Sequence, residues 1–431
     1  MTTDRAICTI IAKNYLASAR TLAQSFFSFH PDTKCYVLIV DDFEGYINPV
    51  DECFEIVRLS ELQIPNLRSF CFKYNITELC TAVKARLIEY LISEKSIDRL
   101  LYLDPDILVT GSLGGLFGRL GTHDIVLTPH LDADYPDDEL LPDDGFILRA
   151  GLFNLGFIGV NASENARSFL SWWKPKLYER CVNDVANGYF VDQKFVDFVP
   201  LLFKNFFVEQ DIGYNVAYWN LHSRKIGREN GSWRCNDGPL FFFHFSGYQP
   251  DGAALTSHIP ISSSRHQLST RNALGELFAD YKEILFRNGY RLAISWPYSF
   301  DYFKSGEVIP DDLRVYYRSL PERWRSFGDP FDSEELKSQA DVLMKSKTHT
   351  EQLNAILNSR AWLWVSRYGR FKNRYLTPGY QTLRRVMGIN PPRRQEKAPS
   401  DRSLVTNQSG VTGETRTRDF GIRRLRRTNW R

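Results

Sequence analysis

The chain lacks the features that would place it in several broad classes. No window approaches the roughly 18 uninterrupted apolar residues of a membrane-spanning helix, so no transmembrane helix is expected. There are only seven cysteines in 431 residues, an odd number, with no Cys-x-x-Cys among them. That pattern fits free thiols in a reducing compartment better than a disulfide framework. The apolar run at residues 6–12, closed by Lys13, is too short for a signal peptide of normal form and reads as a first strand. A cytoplasmic protein is the resulting expectation. No recognisable nucleic-acid-binding module occurs, so no specific nucleic-acid partner is expected.

What is present is unevenly distributed. The net charge of +3 conceals 18 Lys/Arg against 5 Asp/Glu in residues 351–431, about +13, which leaves about −10 for residues 1–350. Such a split points to an acidic-to-neutral body carrying a basic tail. Aromatic residues make up 14% of the chain, enough for a large core and for carbohydrate-facing surfaces.

The first 110 residues alternate strand-like and helix-like segments. Residues 6–12, 34–40 and 54–59 read as strands, and 16–29 has helical spacing. Leu79, Val83, Leu87 and Leu91 then share one helical face, with Asn75 and Glu78 spaced as a capping box at its start. Strand and helix in alternation predict a mostly parallel sheet covered on both faces. Ligands of such sheets gather outside the carboxyl ends of the strands. Residues 12–15, Asp41-Asp42 and Asp104 to Asp106 all fall at such ends.

The most informative segment is Arg99-Leu100-Leu101-Tyr102-Leu103-Asp104-Pro105-Asp106-Ile107-Leu108-Val109. Carboxylates are depleted in strands, so two inside an apolar run need a reason. Side chains at i and i+2 of extended chain point the same way, so Asp104 and Asp106 can converge on one cation. Pro105 removes a ladder donor, so regular pairing is expected to end there. Oxygen ligands of this kind suit Mg²⁺ or Mn²⁺ with positions left open for phosphate oxygens; two solvated aspartates at a strand end is the plainer reading. His244, just after the Phe-rich run 241–243, reads by itself more readily as a satisfied core histidine than as a ligand.

Four segments in order carry a family resemblance. Leu101 to Val109 is similar to the metal-binding segment of GT-A glycosyltransferases, in particular the retaining group that includes glycogenin and the lipopolysaccharide galactosyltransferases. Phe153-Asn154-Leu155-Gly156 resembles that group's Phe-Asn-Ser-Gly segment, Asp192-Gln193 its Asp-Gln pair, and His244-Phe245-Ser246-Gly247 its His-Phe-Thr/Ser-Gly motif. The likeness covers about residues 5–250. It implies an α/β GT-A nucleotide-diphospho-sugar transferase fold, a Rossmann-like mostly parallel sheet flanked by helices, with a C-terminal helical extension. It further implies a nucleotide-sugar donor, UDP-linked by preference, and transfer with retention to a hydroxyl of a glycan or lipid-linked saccharide, as in synthesis of cell-surface polysaccharide.

The resemblance also assigns roles. Asp104, Asp106 and His244 would hold Mn²⁺ or Mg²⁺. Ala12, Asn14 and Tyr15 would receive the nucleobase and ribose, with Tyr15 stacking and Asn14 hydrogen-bonding. Lys84 would reach donor phosphate or sugar, although a solvated helix charge is an equal alternative. Asn154 and Asp192 would bind sugar hydroxyls, Gln193 would face the anomeric carbon, and Gly247 would let backbone approach the diphosphate. The family often has Lys-Pro-Trp a little downstream, where this chain continues Tyr248-Gln249-Pro250; Arg265 or His266 are the substitutes considered. Asp143 and Asp144 are outside candidates for an acceptor base.

The expected organisation is a GT-A domain over residues 1–265, a mainly helical subdomain over 266–345, basic aromatic amphipathic helices over 346–389 and a disordered basic tail over 390–431. Residues 353–388 mix Trp and Tyr with arginines, a pattern suited to an anionic membrane surface and hence to peripheral attachment at its inner face; packing back on the body is the other reading. The acidic segment 131–145 is expected as a solvated loop or a lid. Two other functions stay open. A sugar-phosphate nucleotidyltransferase would share sheet and metal, but Ala12-Lys13-Asn14-Tyr15 offers no Gly-rich phosphate loop. A non-catalytic nucleotide-sugar or glycan-binding module would have no need of a leaving-group metal.

Overall fold

The computed structural model describes residues 4–269 and 271–358. The chain divides into two compact units, Met1–Glu351 and Gln352–Arg431. The membrane-surface expectation for residues 353–388 and the basic tail thus fall almost wholly outside the described residues. Among the described residues, no helix is long and apolar enough to cross a membrane.

The first unit is built on β1 (Arg5–Ile11), α1 (Leu16–Phe27), β2 (Lys34–Ile39), β3 (Glu55–Arg58), α2 (Leu67–Phe72), α3 (Ile76–Ala82), α4 (Lys84–Ser93) and β4 (Arg99–Leu103). It continues with β5 (Ile107–Val109), α5 (Gly114–Arg119), β6 (Ile125–Pro129), α6 (Asp144–Ala150), β7 (Phe153–Asn161), α7 (Glu164–Arg180), α8 (Gln193–Val196) and β8 (Phe206–Val208). After a small three-stranded sheet over residues 226–239 come β9 (Phe242–His244), α9 (Ala273–Arg287), α10 (Asp311–Arg318) and α11 (Glu334–Asn358).

Seven strands form one sheet in the order β3-β2-β1-β4-β7-β6-β8. Only β7 runs against its neighbours; the other pairings are parallel. The expected α/β architecture, a mostly parallel sheet with helices on both faces and helices after the sheet, is the observed one. The strand alternation explains the two layers. Ala6, Cys8 and Ile10 of β1 enter one buried cluster with α3, α4 and α7, while Ile7 and Ile11 enter a second with α1. Phe300, Leu313, Tyr317 and Leu336, from the segment after the sheet, lie in the first cluster.

Local expectations were met with small shifts. Asn75 Oδ1 accepts from Glu78 N at 3.0 Å and the Glu78 carboxylate accepts from Asn75 N at 3.2 Å, a complete capping box. The single helical face of Leu79, Val83, Leu87 and Leu91 is buried throughout, but it is shared between α3 and α4, with Val83 at the junction. The acidic segment is tethered rather than free: Leu141 N donates to Ser263 O at 2.8 Å and Tyr135 Oη to Trp219 O at 2.5 Å.

Candidate active site

The metal candidates are assembled by two pairings. β4 stops at Leu103, and Asp104 N still donates to Gly156 O on β7 at 2.8 Å. Pro105 has no donor to offer, and Ile107 N turns back to Asp104 O at 3.2 Å. The chain then enters β5, which pairs antiparallel with β9 in the register Ile107 opposite His244. Phe245 N donates to Asp106 O at 2.9 Å and locks that register beside the carboxylates.

The consequence is a compact trio. His244 Nε2 lies 3.1 Å from Asp106 Oδ1 and 3.8 Å from Asp104 Oδ2. One ligand atom from each of the three residues lies within 4.8 Å of the others. Burial by itself would raise the Asp106 carboxyl pKa, but the facing His244 imidazole overcomes it and holds the carboxyl below its ordinary value. Burial likewise opposes the His244 imidazolium, and the two carboxylates outweigh it and raise its pKa. Two carboxylate oxygens and one imidazole nitrogen converging in this way fit a divalent cation with open positions.

Two neighbours hold the trio in place. Tyr102, two residues before Asp104 on β4, donates its hydroxyl to Asp104 Oδ1 at 2.7 Å. The Trp219 ring meets His244 edge-on at 5.2 Å between centroids. His244 Nδ1 is buried with no hydrogen-bond partner among the described residues, so packing orients this ring in place of the usual acceptor behind a ligating histidine.

A cleft of about 460 Å³ opens beside the trio, lined by Asn14, Tyr15, Asp106, Gly247 and Tyr248 among others. The segment after the first strand and one of the metal candidates, Asp106, therefore share one space. Ala12 is buried behind it, whereas Tyr15 is 43% exposed into solvent. Lys13, between Ala12 and Asn14, turns away: its ammonium pairs with Asp41 at 2.7 Å inside the protein. That use of Asp41 was not read from the sequence, where Asp41-Asp42 was only a strand-end acidic pair.

The remaining site candidates form a buried polar layer under β7. Lys84 Nζ lies 2.6 Å from Asp192 Oδ2 and 3.9 Å from Asp104 Oδ1, and donates to Leu155 O at 2.8 Å. It thus links the two acidic positions from within the protein, and is neither a solvated helix charge nor at the cleft surface. Burial, outweighing the Lys84 cation, raises the Asp192 pKa. Gln193 Oε1 accepts from Leu155 N at 2.9 Å and its Nε2 donates to Ala150 O at 3.0 Å. Asn154 Oδ1 accepts from Gly156 N and from Asn215 Nδ2, both at 3.0 Å, while Asn154 Nδ2 has only 3.3 Å contacts to Gln193 Oε1 and His130 Nε2.

Asn215, His130, Trp219 and Tyr102 were missed from sequence. Only Tyr102 left a signal, its i−2 spacing from Asp104 in the same extended run. Asp143 caps α6 by accepting from Phe146 N at 2.7 Å; both it and Asp144 are exposed.

No family model matches the chain. It is 26% identical over 249 residues to the uncharacterized protein YfnD of Bacillus subtilis (strain 168), spanning 56% of this chain and 76% of that protein. The uncharacterized YfnF of the same organism is 26% identical over 248 residues, 57% of this chain and 82% of that protein. Among solved structures, the galactosyltransferase LgtC with donor and acceptor sugar analogues is 16% identical and covers 72% of this chain and 99% of its own, with a TM-score of 0.39. The glycosyltransferase GlyE of Streptococcus pneumoniae TIGR4 is 17% identical, covering 70% and 67%, with a TM-score of 0.38. Both are glycosyltransferases by name, the class that the four motifs resemble.

Proposed function

We propose that this chain is a metal-dependent glycosyltransferase. It takes a sugar from a nucleotide-diphosphate donor, a UDP-sugar first among those to test, and passes it with retention to a hydroxyl of a glycan or lipid-linked saccharide. The observation that carries this reading is the convergence of Asp104, Asp106 and His244, of which Asp106 lines a cleft shared with Asn14 and Tyr15. Neither half alone is specific; a cation-binding trio beside an aromatic and an amide at a strand end suits a diphosphate joined to a nucleoside.

A divalent cation in the trio would supply Lewis-acid stabilisation of the diphosphate leaving group. The chain's own residues do the rest. Tyr102 fixes the Asp104 carboxylate, and Trp219 fixes the imidazole of His244. Tyr15 offers a face for the base and Asn14 an amide beside it. Asn154 Nδ2, whose two contacts are both long, is the amide donor able to turn toward a sugar hydroxyl. Asp192 and Gln193, buried beside Lys84 and Asn154 respectively, are the catalytic candidates, with Gln193 nearest in kind to a group that stabilises developing positive charge without becoming a nucleophile.

The test is Mn²⁺-dependent hydrolysis of UDP- and GDP-sugars by the purified protein without acceptor. Slow release of one nucleotide, lost with EDTA and in Asp104→Ala, is the expected result. No release and no thermal shift with any donor of the panel would overturn the reading in favour of a binding module.

A further inference from the structure

The diphosphate end of the proposed site has no lysine to serve it. Between Gly247 and Arg265 the chain contains none. Of the two substitutes suggested by sequence, Arg265 is committed elsewhere: its guanidinium pairs with Asp138 and donates to the carbonyls of Leu140 and Pro142 at 3.0 and 3.3 Å. His266 sits on the same segment, where burial and the neighbouring Arg265 cation push its pKa down to about 4.

A different residue occupies the place. The loop after Gly247 folds back, with Ser257 N donating to Gly247 O at 2.8 Å and His258 N to the buried Thr256 Oγ1 at 3.2 Å. This lays the His258 imidazole against Gly247. An ideal Cβ on Gly247 would stand 2.7 Å from His258 Nε2 and 2.8 Å from its Cδ2, and 2.6 Å from Thr256 Oγ1. Gly247 also has φ +70°, a backbone conformation that side-chain-bearing residues rarely adopt. Its lack of a side chain therefore serves the approach of this imidazole. Ser246 Oγ lies 3.4 Å from Nε2. Gly247, against which the ring lies, lines the same cleft as Asp106. His258 is exposed, and it stands outside the compact ligand set of Asp104, Asp106 and His244.

We infer that His258 is the hydrogen-bond donor to a phosphate oxygen of a diphosphate held at Asp104, Asp106 and His244, and so positions the leaving group where the expected lysine is absent. This rests on the reading of the trio as a metal–diphosphate site. A histidine beside the cation set, outside the ligand shell but exposed, meets the ligand of the metal and not the metal itself. A donor bonded to a charged oxygen is worth about tenfold or more in affinity.

The test uses the full chain with Mn²⁺ alone and with Mn²⁺ plus inorganic pyrophosphate, followed by titration calorimetry in wild type, His258→Ala and His258→Gln. Pyrophosphate carries no base or sugar, so it reports this contact alone. His258→Ala is expected to bind Mn²⁺ as wild type does and to bind pyrophosphate about tenfold more weakly. His258→Gln, which keeps a donor, is expected to recover most of that loss, and it decides the question should the alanine variant fail to fold. Unchanged pyrophosphate affinity in His258→Ala would overturn the inference and leave the proposed function standing. So would an equal loss of Mn²⁺ affinity, which marks a purely structural role. Failure of the wild type to bind pyrophosphate with Mn²⁺ would overturn both.

Discussion

Gly156 and His244 fit together only because one of them has no side chain. An ideal Cβ on Gly156 would lie 2.3 Å from His244 Cε1 and 2.5 Å from its Nδ1. The imidazole is buried, with Trp219 edge-on to it, and cannot withdraw without leaving the carboxylates. Gly156 O meanwhile accepts from Asp104 N. One residue of β7 thus sets both sides of the metal candidate.

Gly156→Ala should therefore act on the trio before it acts on the fold. Overpacking of this kind costs about 1–3 kcal/mol of stability, which a unit of this size should survive. Mn²⁺ affinity, measured by calorimetry, should fall at least about tenfold, since relieving the contact displaces the ring by about an ångström, more than the roughly 0.5 Å a ligand site tolerates. Wild-type Mn²⁺ affinity in a folded Gly156→Ala protein would show that His244 is not a ligand.

Asp106→Ala should lower the melting temperature of the metal-free protein modestly at neutral pH, because it removes the carboxylate whose pairing with His244 holds its pKa down, and should abolish donor hydrolysis. Loss of a direct metal ligand is expected to cost about two orders of magnitude or more in turnover. EDTA should reduce the wild type to the same level. Hydrolysis that persists in Asp106→Ala with the metal chelated would remove the metal from the mechanism.

The buried pair of Lys84 and Asp192 offers a separation of stability from function. Replacing Lys84 by Met strands the Asp192 carboxylate and should destabilise by about 3–5 kcal/mol, whereas the double change Lys84→Met with Asp192→Leu should recover much of that loss. Chemical denaturation of the single and double variants closes the cycle. Additive losses, with no recovery in the double variant, would mean that the two side chains do not depend on each other.

Asp124 gives a prediction in pH. Burial acts to raise its pKa, but hydrogen bonds from Asn161, Ser163, Asn205 and Asn165 outweigh this and lower it. A carboxyl depressed in the folded state stabilises above its unfolded pKa of about 3.9 and loses that contribution as pH falls through the folded value. Asp124→Asn should lower the melting temperature at neutral pH and lose less of it between pH 5 and pH 3 than the wild type does. Parallel melting curves for the two proteins across that range would contradict the assignment.

The amino-acid sequence alone determined whatever depends on neighbours in the chain. Apolar runs and their alternation named β1, β2 and β4, the Asn75–Glu78 spacing named a helix start, and Pro105 marked where pairing stops. The two carboxylates of Asp104 and Asp106 were legible because such groups are out of place in an apolar run. Only the tertiary structure decided which distant residues meet them. The β5–β9 register carries His244 to Asp106, β7 supplies the glycine that makes room for it, and Asn215, His130 and Trp219 arrive from loops with no periodic signal. It also decided which charges are spent: Lys84 on Asp192, Lys13 on Asp41 and Arg265 on Asp138. Periodicity reports a residue's own face, whereas pairing register and the burial that forces charges to find partners are properties of the packed chain.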